Sequence, residues 1–397
     1  MELPKYSLRH PRTVMTHHLT LYHADEHAHI NWPHTSDGQY ARRYLTPFLQ
    51  NSPQQYLNNV TTDLMVLQVD QTIFPVTRVV PTTNNSYVCS PLNHYLYYGL
   101  EETQRHLPLL SHPLQLFVRL FAHYLNTHQF EQVIQVNNWL LSTNLYPDLK
   151  FSQIEAMLNY LRNQFPDHAI IFRSVDEHGN PLLYQTLRTL GCAMLFSRQI
   201  YYQHPNRLAV QRKKQLKIDL NRFRRMPYQA QQIDSDASPA TIKAIQTRYN
   251  QLYLDKYSTL NPQFSTDFIR LALQNKLLTI TILRMPDSQR VEAVLGYFYR
   301  RGLMTCPLFG YDTTRPKQHG LYVLLSTMAT LAAQQNGHVL NMSGGVGQFK
   351  RLRGGIPIME YNAVYYQHLS SWRQRPWRQL IWLSDYLVRP LAQRYGW

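Results

Sequence analysis

Strand signals come in three successive, largely apolar runs early in the chain, LMVLQVD (Leu64–Asp70), TIFPVTRVVP (Thr72–Pro81) and SYVCSP (Ser86–Pro91), and each predicts a strand. The pattern then changes. Tyr95–Thr103 starts a helical stretch, and His112–Asn126 carries apolar residues at helical spacing. Helices are also expected over Gln129–Leu141 and Phe151–Gln164, then a strand over Ala169–Arg173, a helix over Pro181–Leu190 and a strand over Ala193–Tyr202. Gly191 stands where a helix C-cap belongs. Residues 1–50 are polar, His-rich and weakly patterned, and read as an irregular lead-in.

From Pro205 a similar order returns. The basic run Arg207–Phe223 predicts a helix, followed by a strand near Tyr228–Ile233. Pro239, after Ser238 as N-cap, opens a helix to Tyr257, and Phe264–Gln274 gives a shorter one. Strands over Leu277–Leu283 and Val291–Tyr299 flank a turn at Met285–Arg290. The most informative stretch, Gly296–His368, continues with strand Leu303–Tyr311, turn Asp312–His319, helix Gly320–Gln335 and strand His338–Met342. After these come a Gly-rich loop Ser343–Gly347, Phe349-Lys350 and a final strand pair. A Trp-rich helical tail over Trp377–Tyr395 closes the chain.

Both halves thus read as α/β, each a mixed, mostly antiparallel sheet flanked by helices. The shared element order suggests tandem domains, 51–203 and 204–370, with a separate C-terminal helix in 371–397. Sequence identity between the halves is negligible. A length of 397 residues leaves room for two cores.

Charge adds a partner. The net charge is +16 and the pI about 9.7, so an anionic ligand has to be considered. The excess is concentrated in Arg207–Arg225, which holds Asp219 as its one acid. It is concentrated again after the Gly loop, where Lys350, Arg351, Arg353, Arg373, Arg375, Arg378, Arg389 and Arg394 face Glu360 and Asp385. The 28 tyrosines suit clefts and wet interfaces. The tail sets Trp372, Trp377, Trp382 and Trp397 among five arginines, a composition that fits peripheral membrane contact as well as packing on the domain.

Several chemistries are excluded or disfavoured. Cys89, Cys192 and Cys306 lie far apart without CxxC, which argues against a disulfide framework or zinc site and fits a reducing cytoplasm. The start lacks an apolar signal region, and no 18-residue apolar run occurs. HADEHAH (His23–His29) is not HExxH, so no metal is expected there. Ser343-Gly-Gly-Val-Gly347 lacks GxxxxGK[ST], and no GxSxG occurs.

Four stretches of the second half resemble the GNAT superfamily of acyltransferases, in particular its Fem-type aminoacyl transferase branch. They are RKKQLKIDLNRFRR (Arg212–Arg225), AVLGYFYRRGLMTCPLFGYD (Ala293–Asp312), HGLYVLLSTMATLAAQQNG (His319–Gly337) and NMSGGVGQFKRLRGGIPIMEYNAVYY (Asn341–Tyr366). The match is good over about 40% of the chain and looser in segments of the first half, notably VCSPLNHYLYYGLEE (Val88–Glu102) and LLYQTLRTLGCAMLFSRQIYY (Leu182–Tyr202). It implies tandem GNAT-like domains and direct attack of an amine on an acyl thioester, with acyl-CoA or an acyl carrier protein as co-substrate.

It also implies roles. Lys317, His319, Gly320 and Leu321 would form the donor's anion turn at an uncapped helix start. Asp312 or Glu360 would take the proton, Tyr311 would stand beside them at the strand end, and Lys350 would border the groove. Enzymes that bind coenzyme A usually carry Gln/Arg-x-x-Gly-x-Gly/Ala here. This chain reads Lys317-Gln-His-Gly320-Leu-Tyr322, which brings in aminoacyl-tRNA, with Arg207–Arg225 as its electrostatic footprint. A non-catalytic binding protein on the same fold is the third reading, and its sign would be Tyr322 filling the groove.

Overall fold

The computed structural model describes residues 17–395 except 83, 107–110, 209 and 289. The first part of the expected lead-in, residues 1–16, and Trp397 lie outside that set. In chain order the first half holds β1 (Leu19–Tyr22), α1 (Ser36–Gln50), α2 (Pro53–Tyr56), β2 (Thr62–Val69), β3 (Thr72–Val79), α3 (Gly99–His106) and α4 (Ser111–Thr127). It continues with β4 (Val133–Val136), α5 (Phe151–Gln164), β5 (Ala169–Val175), α6 (Pro181–Thr189) and β6 (Ala193–Gln203). The second half holds α7 (Val210–Arg224), β7 (Gln229–Ile233), α8 (Pro239–Asn250), α9 (Thr266–Gln274), β8 (Thr279–Arg284), β9 (Val291–Arg300) and β10 (Leu303–Tyr311). After them come α10 (Leu321–Gln335), β11 (Val339–Asn341), α11 (Gly347–Leu352), β12 (Ile356–Tyr365), α12 (Ser371–Leu383) and α13 (Arg389–Tyr395).

Among the described residues all twelve strands join one sheet, ordered β1-β2-β3-β4-β5-β12-β6-β11-β10-β9-β8-β7. Two neighbouring pairs are parallel, β4/β5 and β10/β11, and each is bridged by one long crossover carrying a helix, α5 or α10. The rest is antiparallel, so the fold is α/β with a mixed, mostly antiparallel sheet. The order has a centre of symmetry at the β6/β12 pair. Each half builds a meander, a parallel pair and a last strand, and the two last strands change places: β6 lies beside β11, and β12 lies beside β5. A boundary at 203/204 therefore divides the chain order but not the sheet.

Four expectations change. The lead-in is not irregular after residue 35: Thr35 caps Gly38 N–H at 3.1 Å, and α1 buries Ala41, Tyr44, Leu45, Phe48 and Leu49 at helical spacing. Its Tyr40 and Arg43 reach the carbonyls of Leu277 and Asn275, so α1 ties the two halves through one core cluster. Gln129–Leu141 holds strand β4, whose four residues are all buried. A wholly buried strand shows no alternation, and Asn137 and Leu140, at φ 56° and 61°, end it. Ser86–Pro91 is a turn closed by Cys89 N–H on Ser86 C=O at 2.9 Å. Of the strand pair expected after Phe349-Lys350, one strand forms among the described residues, β12, which finds its partners on β5 and β6, while Phe349 and Lys350 themselves lie on a short helix, α11.

Candidate functional site

The two parallel pairs differ at the helix tip that follows them. At α5 the tip is closed: His17 bonds Ser152 Oγ at 2.9 Å through Nε2 and Asp70 at 2.8 Å through Nδ1. Gln153 also closes it, its Oε1 accepting Lys150 N–H at 2.9 Å and its Nε2 donating to Asp70. At α10 the tip has no side-chain cap and no acid in its first turn. Gly320 sits there at φ 64°, ψ 28°, and a Cβ on it would come within 2.8 Å of the Arg222 guanidinium carbon. Arg222 Nη2 donates to Gln318 C=O at 2.8 Å. The neighbour at this tip is thus a second cation.

The strands beside α10 part early. β10 and β11 pair over Leu303–Thr305 and Val339–Asn341. Pro307 then removes an N–H from β10, and its register against β9 shifts between Thr305 and Leu308. After β11, Met342 N–H bonds Tyr201 C=O on β6 at 2.8 Å, and Ser343 turns away at φ 59°. Among the described residues β10 has no strand partner on this side beyond Thr305. Tyr322, on the first turn of α10, leans into the opening with ring centroids 5.6 Å from Phe309, 6.3 Å from Tyr311 and 4.9 Å from Phe349.

Next to this opening the halves meet along half-buried side chains, His94, Tyr95, Tyr98 and Arg198 from the first and Tyr253 and Cys306 from the second, which together read as the lining of a cleft. Two π-helical turns supply much of this lining, Asn93–Tyr98 from the first half and Gln251–Asp255 from the second. Burial, with Arg173 and Arg198 adding to it, pushes His94 down to about 3, so its imidazole is neutral. Burial pushes the Cys306 thiol up to about 12, and it stays protonated.

The structure separates the residues expected from the sequence. Asp312 is 1% exposed. Its Oδ1 accepts Thr314 N–H and hydroxyl at 3.0 and 2.6 Å, and its Oδ2 pairs with Arg290 and, at 3.5 Å, with Arg248. Burial raises its basicity, but the Thr314 bonds and the two arginines outweigh it and hold the carboxyl below the usual range. It is the anchor of a turn and an ionic cluster that includes Glu292 and Arg315, not a base open to a substrate. Glu360 lies three strand spacings from β10, about 14 Å. It is buried, and Arg198 Nε donates to it at 2.8 Å. The same guanidinium reaches Ser142 C=O and Thr143 Oγ1, each at 2.8 Å.

Tyr311 is half-buried, with Lys256 Nζ 3.5 Å from its hydroxyl. Lys317 and His319 are exposed on the turn before Gly320, His319 being bonded to the Tyr228 hydroxyl. The Leu321 side chain is core, so only its backbone faces the tip. Lys350 turns inward: it is 3% exposed, and Nζ donates to Ser343 and Gly344 C=O at 3.0 and 2.5 Å. Its neighbour Phe349 borders the opening instead. Burial, reinforced by Arg198, pulls the Lys350 ammonium down to about 7.

Sequence reasoning missed Arg173, Arg198, His94, Tyr98 and Tyr253. A signal existed in the tyrosine surplus, which recurs at helical spacing as Tyr95/Tyr98 and Tyr249/Tyr253/Tyr257. Outside the cleft, Lys214, Lys217, Arg222, Arg224 and Arg225 are exposed along and just past α7, while Asp219 is held by Arg353 at 2.8 and 3.0 Å. No described helix is long and apolar enough to cross a membrane.

No family model matches the chain, and no curated protein matches its sequence. Solved structures similar to it include L-PGS from Bacillus licheniformis, with a TM-score of 0.43 and 15% identity over 59% of this chain and 77% of that one. FemX gives a TM-score of 0.42 and 8% identity over 58% and 79%. A tandem GNAT protein from the clavulanic acid biosynthesis pathway gives 0.40 and 8% over 88% and 98%. At such low identities the chemistry of this chain has to be read from its own residues.

Proposed function

We propose that this chain is a GNAT-like acyltransferase, in which an amine attacks an acyl thioester where β10 and β11 part. The reading is carried by one observation: a parallel pair that separates after three residues, beside an uncapped helix tip and a solvent-reachable cleft. The donor's anionic carrier would lie on the α10 tip among Lys317, His319 and Arg222. The unpaired edge of β10 would face the carbonyl oxygen as negative charge develops, and one such donor is worth about 100- to 1000-fold in rate. The acceptor amine would enter from the cleft and release its proton to water there, since Asp312 and Glu360 are both buried in ion pairs with arginines. The test is incubation with a panel of acyl-CoA and acyl carrier protein donors and an amine library, read out by mass. Mass gain matching the donor supports the reading, and no transfer from any thioester overturns it in this form.

A second reading has its own support in the exposed cations of α7 beside the same tip. If the carrier is aminoacyl-tRNA, binding falls steeply with added salt and aminoacyl rather than acyl groups are transferred. A peripheral membrane contact is also proposed. Trp382, Tyr386, Leu387 and Val388 at the C-terminal end, and Leu116, Phe117 and Leu120 on α4, are exposed on helices that cover one core cluster. Co-sedimentation with phosphatidylglycerol vesicles but not phosphatidylcholine vesicles is expected, and Trp382→Ala/Tyr386→Ala should abolish it.

A further inference from the structure

The least explained charge in the molecule is Arg173. It stands on β5 in the first half, is 3% exposed and forms no salt bridge among the described residues. Its Nη1 donates to Asn138 Oδ1 at 2.7 Å and to Leu141 C=O at 3.4 Å. Among the described residues Nε and Nη2 make no hydrogen bond, and neither atom is fully sealed from the space around it. A buried guanidinium without a counter-ion is costly, and burial opposes its protonation.

The surroundings say where that space is. His94, Tyr95, Arg198 and Glu360 all lie within electrostatic reach of Arg173, and three of them line the cleft described above. Most of their other polar groups are committed: Tyr95 hydroxyl to Asn362 at 2.6 Å, Tyr87 hydroxyl to Ser142 at 2.8 Å, Arg198 to Glu360. The local charge does not close. Arg173 and Arg198 face Glu360, which leaves one positive charge unmatched. Lys350 is itself a cation, directed at the Ser343 and Gly344 carbonyls, and the carboxylate of Asp176, bonded to Tyr202 and its own turn, is not among the charges that act most on Arg173.

We infer that the cleft binds a monoanion on Arg173, and that this monoanion is the carboxylate of the acceptor, an amino acid or short peptide. A carboxylate fits the two parallel donors of a guanidinium edge, and one such charge neutralises the site. Arg198 then links the two halves of the reaction. It neighbours Arg173 on one side, and on the other its Nη1 lies 3.4 Å from Ser343 Oγ, on the loop that leaves β11 at the opening. An acceptor held by its carboxylate on the first half would direct its amine toward the second. The anion site stands on its own; its assignment to the acceptor rests on the transfer reading.

The test is direct binding followed by thermal shift and calorimetry. Glycine, alanine and alanyl-alanine are each titrated singly as the free acid and as the carboxamide, with inorganic phosphate as a further arm. In the wild type at least one acid should bind, and its amide at least about tenfold more weakly. Arg173→Met should lose that discrimination while the ligand-free protein unfolds at an equal or higher temperature, because an unpaired charge has gone. If Arg173→Met does not fold, Arg173→Lys serves, since it keeps the charge, loses the planar fork and should bind the acids more weakly. Equal binding of acids and amides, discrimination that survives at Arg173→Met, or binding of phosphate alone would each overturn the proposal. The two readings fail separately. Acid selectivity without turnover on any donor sinks the transfer reading, whereas turnover indifferent to the carboxylate sinks this one.

Discussion

Replacing Lys350 by methionine should remove one specific slope from the stability of this protein against pH. In the folded chain burial holds the ammonium at about 7, against 10.5 for a free lysine. Below pH 7 both states carry the proton, and the folded state bears the full cost of burying the charge. Between pH 7 and 10.5 the unfolded chain keeps its proton while the folded chain has shed it. Unfolding therefore becomes harder as pH rises, by about 1.4 kcal/mol per pH unit. From pH 7 to 9.5 the wild type should gain about 3 kcal/mol relative to Lys350→Met. The variant also loses the bonds to Ser343 and Gly344, worth about 1 kcal/mol each, but that loss sets the offset more than the slope. Urea titrations of both proteins at several pH values, followed by tryptophan fluorescence, measure the difference directly, because other titrating groups cancel. A wild-type minus variant difference that stays level from pH 7 to 9.5 would refute the reasoning.

Three further outcomes follow from the same geometry. Glu360→Gln leaves Arg198, whose side chain is 20% exposed, without its partner, and should cost about 2–4 kcal/mol in urea unfolding. Arg198→Met added to it should recover most of that, and strict additivity of the two losses would show that the pair is not the cause. Gly310→Ala places a Cβ 2.5 Å from the backbone carbonyl carbon of Arg248, so it should cost about 3 kcal/mol or more, whereas Gly99→Ala, with nothing within 4 Å, should be neutral or slightly stabilising. Similar urea midpoints for both would contradict the close approach of α8 to β10. Tyr322→Ala removes the ring that touches Phe309, Tyr311 and Phe349, and should raise donor binding or turnover. No change in either would favour a protein whose opening has no catalytic use.

What the sequence determined on its own is the part governed by neighbours along the chain. The apolar runs marked β2, β3 and β9, the Ser238-Pro239 cap placed α8, and Phe151–Gln164 and Leu303–Tyr311 were read to the residue. These depend on local composition, capping and turn chemistry, which act within a few residues. The same locality explains why β4 was read as a helix: four residues buried on both faces, three of them apolar, have no period to show.

Only the tertiary structure decided which polar residues are free to do chemistry. Asp312, Glu360 and Lys350 look alike in sequence, as polar residues near a strand end or a Gly loop. Partners far away in the chain commit them to arginines or carbonyls, such as Arg198, 162 residues from Glu360. The exchange of β6 and β12 follows from pairing across halves, which leaves no mark on either strand. Arg173, by contrast, is notable for a counter-ion it lacks. Such isolation becomes visible only when every neighbour in space is known, because the cost of a buried charge is set by its surroundings and not by its own side chain.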